Sequence, residues 1–145
     1  MNHRMVTAVL ALLGLLVALY LWLWKIGVLG ALVCVDGGCE AVQTSEYAEL
    51  LGVPVAFLGL VGYVVLLALS LAGLQPRWME RWEPSAALVA VSGVGVVYSG
   101  YLTYLEAAVI HAWCQWCVVS AVLVTLIFAV ALCGLVSQRG RQLGA

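Results

Sequence analysis

His111-Ala112-Trp113-Cys114-Gln115-Trp116-Cys117 runs directly into the apolar segment Val118 to Val136, and this junction decides how the chain reads. From Cys114 to Val136 no charged side chain occurs. The stretch is long enough to cross about 30 Å of hydrocarbon at about 1.5 Å rise per residue. A Cys-x-x-Cys pair can close a disulfide and reopen it, and one of its thiols often has a lowered pKa. Set at the mouth of a membrane helix, such a pair stands between protein thiols in water and a lipid-soluble electron carrier. The positive end of the helix dipole beside Cys114 and Cys117 favours the thiolate that must attack.

Outward from this junction, three more uncharged runs appear: Val6 to Trp24, Gly52 to Leu74 and Ser85 to Leu105. Pro54 is expected in the first turn of the second and Pro84 opens the third; a proline costs little where its missing N–H has no partner in any case. Small residues in the third (Ala86, Ala90, Gly93, Gly95, Gly100) let helix backbones approach in lipid. Of the 145 residues, 66% are hydrophobic and 9% charged, against about 25% charged in a soluble domain. We therefore expect an all-α integral membrane protein, one domain over 1–145. Its four-transmembrane-helix bundle spans about 6–26, 52–74, 85–105 and 114–136. The net charge of −1 provides no basic stripe for nucleic acid.

The most polar stretch, 33–51, follows the first span and carries a second cysteine pair, Cys34 and Cys39, around the turn signal Asp36-Gly37-Gly38. Glu40 to Leu51 has helical propensity, so a short amphipathic helix on the outer membrane face is expected there. The link 75–84 joins the second and third spans. With four spans, Arg4, Arg77, Arg81, Arg139 and Arg141 fall on one side and Lys25 on the other. By the positive-inside rule both termini are cytoplasmic. Both cysteine pairs then lie on the outer side, where disulfides persist. Cys133, about 24 Å further along the last helix than Cys117, is expected to be an inert packed thiol.

Four cysteines at one water–lipid boundary admit three accounts. Electrons can pass from a mobile loop pair to a fixed helical pair by thiol–disulfide exchange. Four thiolates can hold zinc or copper. Two disulfides can also simply staple the loops of a non-enzymatic membrane module. Covalent haem is excluded, since Val118 rather than His follows Cys117. His111, one helical turn before Cys114, is positioned to relay a proton or to sit idle at the interface. Trp113, Trp116, Tyr98, Tyr101 and Tyr104 read as interfacial anchors, and Glu106 as a solvated acid.

Taken together, Cys34-Val-Asp-Gly-Gly-Cys39, Ser45 six residues on, Leu51-Gly-Val-Pro-Val-Ala-Phe-Leu-Gly-Leu-Val-Gly-Tyr63, and Cys114-Gln-Trp-Cys117 opening the last helix resemble the vitamin K epoxide reductase family. The likeness is strongest to its prokaryotic members, in a form without a fused thioredoxin-like domain. It implies an oxidoreductase of the cell inner (plasma) membrane that accepts electrons from a separate thioredoxin-like (DsbA-like) protein. It passes them to a membrane quinone of the ubiquinone, menaquinone or phylloquinone type, with no metal. The resemblance assigns Cys117 to face the quinone and Cys114 to exchange with Cys39. It further implies that Cys34 takes the mixed disulfide with the partner and that Ser45 sits beside the Cys-x-x-Cys. Two departures stand out from the animal enzymes, which hold the quinone with a Tyr and an Asn. Ala121 stands where that Tyr falls, and the second span has no Asn.

Overall fold

The computed structural model describes residues 2–35 and 37–145, so Asp36 of the expected turn lies outside the described residues. Four helices are long and apolar enough to cross a membrane. They are α1 (His3–Lys25), α3 (Val55–Ala72), α4 (Glu83–Leu105) and α5 (Gln115–Leu143). Between α1 and α3 come a six-residue helix α2 (Gly38–Gln43) and two paired two-residue strands, β1 (Glu49–Leu50) and β2 (Val53–Pro54). The long helices close a ring in which α1 packs on α3 and α5, and α4 packs on α5 and α3.

Along this ring the residues sort by the solvent they face. Ala11, Ala18, Tyr63, Leu66, Leu88, Val124, Ile127 and Ala131 form the interior. Leu12, Leu16, Val97, Val122, Leu126 and Val136 point outward and are exposed. Apolar side chains on both faces are what a helix bundle in hydrocarbon requires, and a water-facing bundle avoids them. The protein is thus a multi-pass membrane protein built as a four-helix bundle.

The expected helix over residues 40–51 is much shorter. It stops at Gln43 because two hydroxyls fold back onto its carbonyls: Thr44 Oγ1 donates to Glu40 O at 2.7 Å and Ser45 Oγ to Val42 O at 2.7 Å. Local bonds of this kind compete with helix continuation. After a single 3₁₀ turn at Glu46–Ala48 the chain makes the β1–β2 hairpin. Leu51 and Gly52 both take positive φ (54° and 82°), the geometry of the tightest hairpin turns. Pro54 accordingly ends a strand and caps α3 rather than sitting inside its first turn.

At the end of the bundle away from the cysteine pairs, Arg4 is fully buried, not solvated. Its guanidinium donates to the carbonyl of Gly73, to Trp78 O at 3.0 Å, to Arg81 O at 2.8 Å and to Ser85 Oγ at 3.2 Å. One side chain of α1 thereby satisfies the backbone that ends α3 and links it to α4. Arg4→Met keeps the volume but strands several buried acceptors, each worth about 1–3 kcal/mol when left unmade. A loss of about 2–4 kcal/mol is expected in reversible unfolding from detergent or bicelles. A change below about 0.5 kcal/mol would show that water takes over these carbonyls.

Candidate functional site

At the other end of the bundle the loop 26–35 is pinned on both sides of Cys34. Tyr20 Oη accepts from Val33 N–H at 3.0 Å, Trp116 Nε1 donates to Val33 O at 2.7 Å, and Val35 N–H donates to Gln115 Oε1 at 3.2 Å. These bonds hold Cys34 over the start of α5. Cys34 is bridged to Cys39, which lies in the first turn of α2 and is fully buried. Gly38 beside it lies so close to the backbone carbonyl of Trp113 that no β-carbon fits. The loop pair is thus pressed against the residues that lead into the Cys-x-x-Cys. Cys39 and Cys114 share one buried cluster, with Cys34 and Cys117 packed on its edge.

Helix α5 begins at Gln115 with Cys114 as its cap. The Cys114 sulfur accepts from Cys117 N–H at 3.3 Å, and the Cys117 sulfur lies 2.7 Å from it. Gln43, at the last residue of α2, points its amide Nε2 at Cys117 Sγ (3.2 Å) and Cys114 Sγ (4.0 Å). The hydrogen bond from the Cys117 thiol pulls the Cys114 pKa below the ordinary thiol value, aided by the Cys117 backbone N–H and the Gln43 amide. Burial and the Glu106 charge oppose this. Of the pair, Cys114 is therefore the sulfur that ionises more readily, and the thiolate is the form that exchanges.

Behind the pair lies a cavity of about 540 Å³, its wall supplied mostly by α3 and α4. Such a volume falls in the range of pockets that take small-molecule ligands. The lining is mainly aliphatic, from Leu21, Leu58, Leu66 and Val91 among others, with a few polar groups. Cys117 belongs to this wall, as do Gln43, Tyr98, Thr103 and Glu106. Tyr63 also reaches it, its hydroxyl donating to Ser120 O at 2.8 Å. An apolar slot with scattered polar groups and a thiol in its wall suits a mostly apolar small molecule. The Gln43 amide and the Tyr98 hydroxyl are donors in this wall, while the Thr103 hydroxyl is spent on Ser99 O at 2.8 Å.

Several residues singled out in the sequence have partners or surroundings other than those expected. Ser45 spends its hydroxyl on Val42 O, and Gln43 is the side chain at the sulfurs. His111 is exposed, in left-handed backbone (φ 56°) on a non-helical link, not one helical turn below Cys114. Tyr98 lines the cavity, while Tyr101 and Tyr104 remain exposed. Glu106 is not solvated: it is 2% exposed, and its Oε2 accepts from Cys114 N–H at 3.1 Å. A wide π-helical turn, Glu106–Ile110, continues α4 and positions it there; such turns often mark functional positions. Both missed residues left a trace in the sequence. Gln43 is four residues after Cys39, on the same face of any helix through them. Glu106 is the lone acid closing an apolar span, a residue type that is costly in a membrane without a role.

Removing the amide by Gln43→Leu is expected to raise the Cys114 pKa and to slow exchange at that sulfur on the order of tenfold. A hydrogen bond to a charged group is worth about 1.5–3 kcal/mol. Thiolate absorbance against pH, taken as the difference from Cys114→Ser, reads the shift directly. An unmoved midpoint would remove Gln43 from the account. Among the described residues no group of three or more His, Cys, Asp or Glu is placed to hold a metal ion.

In a comparison with models of known families, the one described as the vitamin K epoxide reductase family matches residues 5–132.

Proposed function

Because the chain belongs to the vitamin K epoxide reductase family, a family of membrane oxidoreductases, we propose that it oxidises the dithiol of a thioredoxin-like (DsbA-like) protein with a membrane quinone. The observation that carries this reading is the division of labour within one motif. Cys117 forms part of an apolar cavity wall, while Cys114 shares a buried cluster with Cys39 of the loop pair.

The partner's dithiol first reduces Cys34–Cys39. A loop thiolate, Cys39, then attacks the Cys114 sulfur of a Cys114–Cys117 disulfide, and Cys34 resolves the Cys39–Cys114 bridge. This exchange leaves the loop pair bridged and the helical pair as two thiols. Cys34–Cys39 bonded with Cys114 and Cys117 free is the arrangement of sulfurs in the structure. The two electrons then leave through Cys117 to a quinone of the ubiquinone, menaquinone or phylloquinone type. The arginine distribution supports cytoplasmic termini and outer-side cysteines in a cell inner (plasma) membrane. Partner oxidation there drives disulfide formation outside the cytoplasm.

The test is turnover by the purified protein in lipid nanodiscs with a reduced thioredoxin-like protein and decylubiquinone or menadione. One quinol per partner disulfide is expected, with activity lost in Cys→Ser variants at 34, 39, 114 and 117 and kept in Cys133→Ser. No quinol, together with a lowered melting temperature on reduction of Cys34–Cys39, would make the protein a stapled membrane module instead.

A further inference from the structure

The chemistry proposed above moves protons as well as electrons, and the cavity holds one carboxyl group positioned for them. Two S–H bonds break as the Cys114–Cys117 disulfide forms, and two O–H bonds form on the quinone oxygens. Cys114 is fully buried, Cys117 is partly buried, and the cavity wall between them and the quinone site is mainly apolar, so the protons need a carrier there. Glu106 is the one acidic side chain in the cavity wall. It is almost fully buried and tied to the Cys-x-x-Cys through the Cys114 N–H. Its other oxygen makes no hydrogen bond among the described residues.

We infer that Glu106 carries the protons released by the two thiols to the quinone oxygens, an assignment that rests on the quinone-reductase reading of this site. In each transfer the Glu106 carboxylate takes a proton from sulfur and the resulting acid gives it to a quinone oxygen. Over one turnover it acts twice and ends as it began. The sum is two thiols and a quinone converted to a disulfide and a quinol. The groups facing Glu106 are few. Cys114 and Cys117 come from α5, the Tyr63 and Tyr98 phenols from α3 and α4, and the neutral amide of Gln43 from α2. No lysine or arginine lines the cavity or forms an ion pair with Glu106 among the described residues. A fixed cation would hold the carboxylate charged and spoil it as a carrier; none does so here.

His111, the titratable side chain nearest in sequence to the motif, is exposed and does not line the cavity. It is therefore not the carrier, and its removal serves as the contrast. The experiment separates two half-reactions in full-length protein in nanodiscs. In the first, the protein with Cys34–Cys39 bridged and Cys114 and Cys117 reduced is mixed with decylubiquinone, and quinol formation is followed. In the second, dithiothreitol-reduced loop thiols exchange with a Cys114–Cys117 disulfide. Glu106→Gln is expected to slow quinol formation about 100-fold, the usual scale for a lost acid–base group, and to flatten its pH profile. Exchange should stay within about threefold of the parent, Glu106→Asp should recover part of the rate, and His111→Ala should change neither step. Quinol formation by Glu106→Gln within about threefold of the parent would overturn the assignment, as would an equal fall in both half-reactions. Absence of quinol from the unsubstituted protein would instead overturn the reading of the site itself, and this inference with it.

Discussion

Cys117→Ser is expected to lose quinone reduction by at least about 10³-fold, the scale on which removal of an activated nucleophile acts. Its sulfur is the one of the four paired cysteines that reaches the cavity wall, and it lies 2.7 Å from its partner. Serine at this position removes the electron exit without emptying the site. It keeps the shape and accepts from Gln43, yet it neither exchanges with a disulfide nor carries electrons at neutral pH. The Cys34–Cys39 bridge is untouched by the change, so reduction of that bridge by the partner should proceed at close to the parent rate. Stopped-flow measurement of partner oxidation beside quinol absorbance separates the two. Loss of both, with the fold intact, would place Cys117 in the loop exchange and not at the cavity.

The second large effect is a trapped bond. In Cys34→Ser combined with Cys117→Ser, neither resolving thiol remains, and Cys39 and Cys114 are left in one buried cluster. Mild oxidation should convert nearly all of this variant to a Cys39–Cys114 disulfide, which peptide mass spectrometry under non-reducing conditions identifies. Disulfide geometry requires α-carbons within about 7 Å, so formation of the bond also measures how closely α2 seats on the start of α5. The close approach of Gly38 to the Trp113 carbonyl is what sets that seating. Gly38→Ala should therefore reduce the yield of the bridge by pushing α2 outward. If both thiols stay free while Cys133 is oxidised instead, the relay between the pairs fails.

How far the sequence alone reached follows from which physics was local. The four spans are set by uninterrupted apolar runs, and three helices were legible within three residues of their observed ends, while the last runs seven residues past the expected 136 to Leu143. The first and third helices extend beyond the expected bounds to His3 and Glu83 because hydropathy marks the hydrocarbon limit, not where hydrogen bonding stops. The cysteine pairs were legible for the same reason, since their spacing and their place beside the spans are both local. The loop helix was misread from propensity because Thr44 and Ser45 could be seen as helix formers or breakers only once their hydroxyls had partners. Glu106 was misread because its surroundings come from α5 and the cavity, through a backbone N–H eight residues away that no pattern announces. Arg4 was read correctly as lying at the end opposite the cysteine pairs, but its burial against four partners on the α3–α4 link is a tertiary fact.

Exit of electrons through the cavity-facing Cys117 thiol can be isolated in one turnover without a partner. Protein prepared with Cys34–Cys39 bridged and Cys114 and Cys117 reduced is mixed with one equivalent of quinone in nanodiscs, quenched with acid and alkylated. One quinol per chain is expected, with a Cys114–Cys117 disulfide appearing at the same rate and Cys34–Cys39 unchanged. Quinol formed while Cys114 and Cys117 remain alkylatable, or no quinol at all, would contradict exit through Cys117.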